Sequence, residues 1–189
     1  MLDLKYLQIK NREELPYLLK YLGLNGQGIE IGVQQGIYSQ CILERSDLKL
    51  LYLCDPWRQL DNGWEPASNI SDKLWQADLK TTIKQLSSYE NRYTILRKTS
   101  LEAVNDFTDE SLDFVYLDAD HRYEYVKEDL AKWFPKVKTG GIFAGHDYHD
   151  GNPDLPKEYY GVKQAVNEFF GQRQFFVTKD KWPSWYLIK

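Results

Sequence analysis

Residues 28–57 read GIEIGVQQGIYSQCILERSDLKLLYLCDPW. Two short apolar runs, GIEIGV (28–33) and KLLYLCD (49–55), flank a stretch from Gly36 to about Glu44 that reads as a helix. Apolar character that runs on without alternation marks strands covered on both faces, as in a parallel sheet with helical crossovers. The same alternation extends in both directions. Upstream, Leu15, Leu18, Leu19 and Leu22 fall at helical spacing and Gly23 closes that helix, which makes residues 1–24 an N-terminal helical extension. Downstream, residues 56–69 are rich in Pro, Gly, Asn and Trp and read as a loop. Ile70, Leu74, Leu79, Ile83 and Leu86 set the inward face of the next helix. YTILRK (93–98) and LDFVYLD (112–118) are the third and fourth strands.

Val126, Leu130 and Phe134 mark one face of a further helix that Pro135 helps to end, with Glu128 and Lys132 an outward i,i+4 pair. GGIFAGHD (140–147) is the fifth strand and its exit, and 148–160 reads as a loop. Val162, Val166, Phe169 and Phe170 face inward on a last helix ended by Gly171. QFFVTK (174–179) and SWYLIK (184–189) lie too close together for a parallel crossover and read as a hairpin. The expectation is one α/β domain over residues 1–189, with a mostly parallel sheet between helices.

Composition narrows the function. With 189 residues the chain is one domain's worth, which typically means ~100–200. Its 42% hydrophobic and 28% charged residues are those of a soluble globular protein. No apolar run approaches the ~18 residues of a membrane span, and MLDLKYLQIKN lacks a signal-peptide core. Cys41 and Cys54 are too few for a disulfide scaffold, so a cytoplasmic setting is expected. The formal net charge is −4 with no extended basic stretch, which argues against a nucleic-acid partner. A homodimer is left open. Aromatic residues are 15% of the chain, enough both for a core and for the wall of a ligand pocket.

In an open parallel sheet, ligands bind outside the carboxyl ends of the strands. The residues just past those ends are therefore the candidates. All three histidines, His121, His146 and His149, fall at this one edge. Glu30, Gly32 and Gly36 form a glycine turn that does not match the dinucleotide G-x-G-x-x-G spacing. This turn either carries a ligand or simply reverses the chain. Asp55 ends the second strand, where a carboxylate accepts both hydroxyls of a ribose or else caps the turn before Pro56. On the ribose reading, losing it leaves fold stability little changed. Asp118, Asp120 and His121 follow the fourth strand, with Asp120 also placed to cap the next helix. Asp118, His146 and Asp147 leave neighbouring strands and could share one divalent ion, or form a metal-free Asp–His network.

IEIGVQQGIYS (29–39), YLCDPW (52–57), LDFVYLDADHRYEYVKEDLAKW (112–133), GGIFAGHDY (140–148) and GVKQAV (161–166) resemble the successive motifs of class I S-adenosylmethionine-dependent methyltransferases. The nearest group is methyltransferase family 24, and the resemblance covers about residues 25–189. It implies a Rossmann-like domain with strand order 3-2-1-4-5-7-6 and the last strand antiparallel. It implies S-adenosylmethionine as cofactor. Glu30, Gly32 and Gly36 would hold the methionine part, with Ser39 near its carboxylate. Asp55 would take the ribose, Trp57 and Ser100 would lie by the adenine, and Asp118 would lie near the methyl group. Related metal-dependent O-methyltransferases place magnesium on positions matching Asp118, His146 and Asp147. Because His146 departs from the carboxylate or amide common there, magnesium, manganese, zinc or no ion stay open.

The expected reaction is methyl transfer to a small-molecule acceptor, most simply a hydroxyl oxygen, with His121 or His146 as base and Asp118 beside the reacting group. Trp64, Tyr148 and Tyr159 are candidate acceptor contacts from the loops 58–69 and 148–160. Two other readings stand beside it: an NAD-dependent oxidoreductase on a similar fold, and a non-catalytic nucleotide-binding module. The charge balance predicts no sub-micromolar binding to DNA or RNA at about 150 mM salt, which a fluorescence-anisotropy titration checks.

Overall fold

The computed structural model describes residues 7–60, 70–151 and 160–189. Seven apolar runs become strands: β1 (Gln27–Ile31), β2 (Leu50–Cys54), β3 (Tyr93–Leu96), β4 (Leu112–Leu117), β5 (Val137–Gly145), β6 (Phe176–Val177) and β7 (Trp185–Ile188). The helices are α1 (Leu15–Tyr21), α2 (Ile37–Arg45), α3 (Asp72–Gln85), α4 (Ser100–Ala103), α5 (Tyr123–Trp133) and α6 (Val162–Phe170). The sheet order is β3-β2-β1-β4-β5-β7-β6. The pairs among β1 to β5 are parallel, whereas β7 runs antiparallel to both β5 and β6. The expected order, the antiparallel β7 and the closing hairpin are all present. Among the described residues no helix is long and apolar enough to cross a membrane.

Successive strand residues point to opposite faces, so each central strand feeds two cores. In β4, Phe114 and Tyr116 join Leu19, Ile42 and Leu53 on one face. Val115 and Leu117 join Leu130, Val166 and Trp185 on the other. Helix α1 belongs to the first core, with Leu15 and Leu19 fully buried. The segment before it is tied down as well. The Tyr186 hydroxyl accepts from the Ile9 N–H and donates to the Leu7 carbonyl. The Lys179 N–H donates to the Lys10 carbonyl. Residues 7–10 are thereby held along the β6–β7 hairpin and deliver residue 12 to the strand ends.

Helix α3 departs from the sequence reading. Leu74 and Ile83 are exposed, while Trp75, Asp78 and Thr82 are the buried positions. The inward stripe lies one residue away because this helix packs against the backbone of the β1–α2 turn. Thr82 Oγ1 donates to the Gln34 carbonyl at 3.0 Å, and Gln35 Nε2 donates to Asp78 Oδ1 at 2.9 Å. A helix that serves a polar turn needs polar inward residues, which an apolar periodicity does not report. Ile70 and Leu79 are half-buried against the core and Leu86 is fully buried, as read from the sequence.

Strand β1 ends at Ile31, two residues earlier than its apolar run, and Gly32 follows it. This glycine has φ +91°, and a Cβ there would lie 1.9 Å from the Asp118 carbonyl oxygen. The Gly32→Ala variant is expected to lose about 3–5 kcal/mol from combined overpacking and left-handed strain. Urea denaturation should show this as a lower midpoint at an unchanged slope.

Candidate active site

The carboxyl ends of β1 to β4 open into one cavity of about 430 Å³. Its wall includes Glu30 and Gly32 from β1 and its exit, Asp55 after β2, Ser100 after β3, and Asp118 and His121 after β4. A space of this size suits a cofactor-sized ligand. Some of the residues read from the sequence lie in its wall and others stand behind it.

Asp55 is buried and takes two backbone N–H groups, from Gln34 at 3.0 Å and from Trp57 at 2.8 Å. Burial raises its pKa despite those bonds. Asp55 is therefore a brace for the glycine turn as well as part of the cavity wall, since each carboxylate oxygen has further lone-pair capacity. Trp57 lies elsewhere than expected. It is fully buried, is not part of the cavity wall, and donates through Nε1 to the Gln34 carbonyl at 2.8 Å. Gly36 and Ser39 also stand behind the wall. Gly36 starts α2 at φ +74°, packed against Thr82. The fully buried Ser39 hydroxyl donates to the Glu30 carboxyl. Burial lifts Glu30 to about 8, against that hydrogen bond and the nearby Arg12, which both lower it.

Ser100 lines the cavity with its hydroxyl already engaged. It donates to Asp129 Oδ1 at 2.5 Å and accepts from Trp133 Nε1 at 2.8 Å. Asp129, itself in the wall, is pushed by burial to about 7 although the Ser100 bond lowers it. Asp129 is not among the candidates at the strand ends. Its signal was available: a carboxylate between Val126 and Leu130 on an otherwise apolar stripe.

At the β4–β5 end, Asp118, His121 and Asp147 each offer a donor atom within 4.8 Å of the others. His121 Nε2 lies 3.4 Å from Asp118 Oδ1 and 3.4 Å from Asp147 Oδ2. It is buried without a well-directed hydrogen bond. An imidazole nitrogen left unpaired between two carboxylates is a donor set that fits a divalent cation. His146, expected in this set, stands beside it. Its Nδ1 is 3.2 Å from Asp147 Oδ1 and 3.6 Å from Asp118 Oδ1. Its N–H still extends the sheet ladder to the Leu117 carbonyl, while His121 reaches across from the turn before α5. Burial alone would raise Asp147. The His146 hydrogen bond and the His121, His146 and His149 imidazoles outweigh it and bring the carboxyl to about 2.

The expected acceptor contacts Trp64 and Tyr159 lie outside the described residues. Tyr148 donates its hydroxyl to Asn167 and packs against Phe175, outside the cavity wall. Arg12 is the residue that nothing in its local sequence announces. Its Nη1 lies 3.3 Å from Asp118 Oδ2, and it lines the cavity beside Glu30.

Asp55 caps the turn, the second of its two sequence readings, so Asp55→Ala should lower stability by about 1–4 kcal/mol rather than leave it little changed, because the buried Trp57 N–H and the partly buried Gln34 N–H lose their acceptor. Thermal and urea melts of the ligand-free protein check this.

Residues 29–148 match the model of methyltransferase family 24, described as a methyltransferase domain. Protein y4gI from Sinorhizobium fredii is 40% identical over 123 residues, which are 63% of this chain. This chain spans 13% of that relative's length. The O-methyltransferase from Bacillus cereus in complex with SAH superposes with TM-score 0.63 at 12% identity, covering 94% of this chain and 80% of that one. The O-methyltransferase TomG from Streptomyces achromogenes, involved in tomaymycin synthesis and in complex with SAM, gives 0.64 at 13% identity, covering 94% and 78%. At such identities the superpositions show a shared fold. The family model spans more than half of the chain and the sheet has the expected order. The chain belongs to methyltransferase family 24, among the class I S-adenosylmethionine-dependent methyltransferases.

Proposed function

We propose that this chain transfers the methyl group of S-adenosylmethionine to a hydroxyl oxygen of a small-molecule acceptor, at a site assisted by a divalent ion. The observation that carries this reading is the single cavity running from Ser100 past Asp55 and Glu30 to Asp118 and His121. On this reading the nucleoside end lies by β2 and β3 and the amino-acid end by β1 and β4. Asp55 accepts the ribose hydroxyls with its remaining lone pairs. Ser100 and Asp129 lie by the base, and Trp57 supports the wall from behind. Glu30 faces the ammonium group, held in posture by Ser39.

Transfer is an in-line displacement at a methyl group already activated by the sulfonium, so the protein's task is alignment and removal of the acceptor's proton. Without an ion, His121 at the cavity wall is the base best placed for it; with an ion held, its Nε2 lone pair would be a ligand instead, and the lowered pKa of the acceptor would let its proton pass to water. Asp118, His121 and Asp147 would hold the ion, and imidazole with carboxylate suits manganese or zinc as well as magnesium. Such an ion supplies a lowered pKa for the acceptor hydroxyl. His146 and His149 surround Asp147 and keep its carboxyl ionised.

Two measurements test the reading. Manganese titration followed by electron paramagnetic resonance should show His121→Ala weakening the ion about 10-fold or more, because a donor is lost, with a smaller effect for His146→Ala. Equal effects, or no manganese binding, would remove the ion from the mechanism. The second uses Glu30. A buried carboxyl near 8 holds its proton at neutral pH in the free chain and gives it up when an ammonium group pairs with it. Binding of S-adenosylhomocysteine at pH 7 should therefore release about one proton and strengthen as pH rises toward 8. Calorimetry in two buffers of different ionisation enthalpy measures the release, and Glu30→Gln should abolish it.

A further inference from the structure

We propose that Arg12 holds the carboxylate of the cofactor's amino-acid end; this rests on the reading of the cavity given above. An amino-acid end is a zwitterion. Glu30 suits its ammonium group, but among the motif residues nothing offers a matching cation. Ser39, the residue expected near the carboxylate, is fully buried, donates its hydroxyl to Glu30 and does not reach the cavity. Arg12 lines the cavity where Glu30 and Asp118 do, and its charge acts on the Glu30 carboxyl. The other cations of the wall follow different strands. Arg58 comes after β2, and Lys98 after β3, where it pairs with Asp106 at 2.5 Å.

The posture of Arg12 is set in advance. Its guanidinium carbon lies 4.8 Å from the centre of the Tyr38 ring. The Tyr38 hydroxyl donates to the Arg12 carbonyl at 3.0 Å. Asp118 Oδ2 takes Nη1, while Asp118 Oδ1 faces His121 and His146. Asp118 thus divides its two oxygens between the guanidinium and the histidine cluster. A planar fork presents five N–H groups, so the bond to Asp118 and the 3.9 Å approach of Nε to Glu13 Oε1 leave room for a carboxylate on the same guanidinium. Holding the fork by a ring face and an ion pair reduces the rotamer freedom lost on binding. Burial would lower the Arg12 pKa, but Tyr116 and Asp118 raise it, so the charge is permanent.

The experiment compares two ligands that share the nucleoside: S-adenosylhomocysteine, with the amino-acid end, and 5′-methylthioadenosine, without it. Calorimetric titration of Arg12→Gln should show S-adenosylhomocysteine binding weakened about 10–100-fold, the size of one charge-assisted hydrogen bond, and 5′-methylthioadenosine binding unchanged. Arg12→Lys, which keeps the charge without the fork, should fall between Arg12→Gln and the wild type. Equal weakening of both ligands would show that Arg12 only supports the wall, and unchanged binding of both would show that it faces no ligand; either result overturns the proposal. A wild-type chain that binds neither compound would instead overturn the cofactor reading of the cavity, and the role of Arg12 with it.

Discussion

The site depends on how closely β1 and β4 approach one another at their carboxyl ends. The Asp118 N–H donates to the Ile31 carbonyl at 2.7 Å, continuing the parallel ladder one residue past β4. At that level there is no room for any side chain on residue 32, since a Cβ would collide with the Asp118 carbonyl. The glycine also supplies the left-handed turn that sends the chain toward α2. Glu30, two residues before it, and Asp118, across from it, are brought to one end of the cavity by this contact.

Much of the surrounding structure exists to hold that turn still. Asp55 binds the Gln34 N–H from β2, while Trp57 and Thr82 both donate to the Gln34 carbonyl. Gln34 has φ +51°, an uncommon conformation for a side chain without special local bonds. Its N–H and carbonyl are each satisfied from other elements, and this keeps the strained turn in place. Residues that look like ligand contacts in a motif can therefore be ligands of the backbone instead, as Trp57 is and as Asp55 is in part.

Charge is concentrated at the β4–β5 end. Asp118 and Asp147 face His121, His146 and His149, and Arg12 closes the group from the N-terminal side. Buried carboxylates without partners are costly, so each negative oxygen here has a cationic or imidazole neighbour. The arrangement keeps Asp147 ionised while burial leaves Glu30 and Asp129 able to carry protons near neutrality.

Strand positions, the closing hairpin and the gathering of the histidines at one edge were legible in the residues themselves, because apolar period and chain connectivity are local properties. The nearness of Asp118 and Asp147 followed from adjacent strand exits for the same reason. The sheet order was legible only through the resemblance to the family. The inward face of α3, the joining of His121 to His146 beside those carboxylates, the withdrawal of Trp57, Gly36 and Ser39 behind the wall, and the arrival of Arg12 were not legible. Each depends on side-chain direction and on contacts between residues far apart in the chain, 106 positions in the case of Arg12 and Asp118. The sequence by itself determined which residues reach the strand ends. Only the tertiary structure decided which of them face the cavity, because that choice is made by packing between elements and by which backbone groups need a partner.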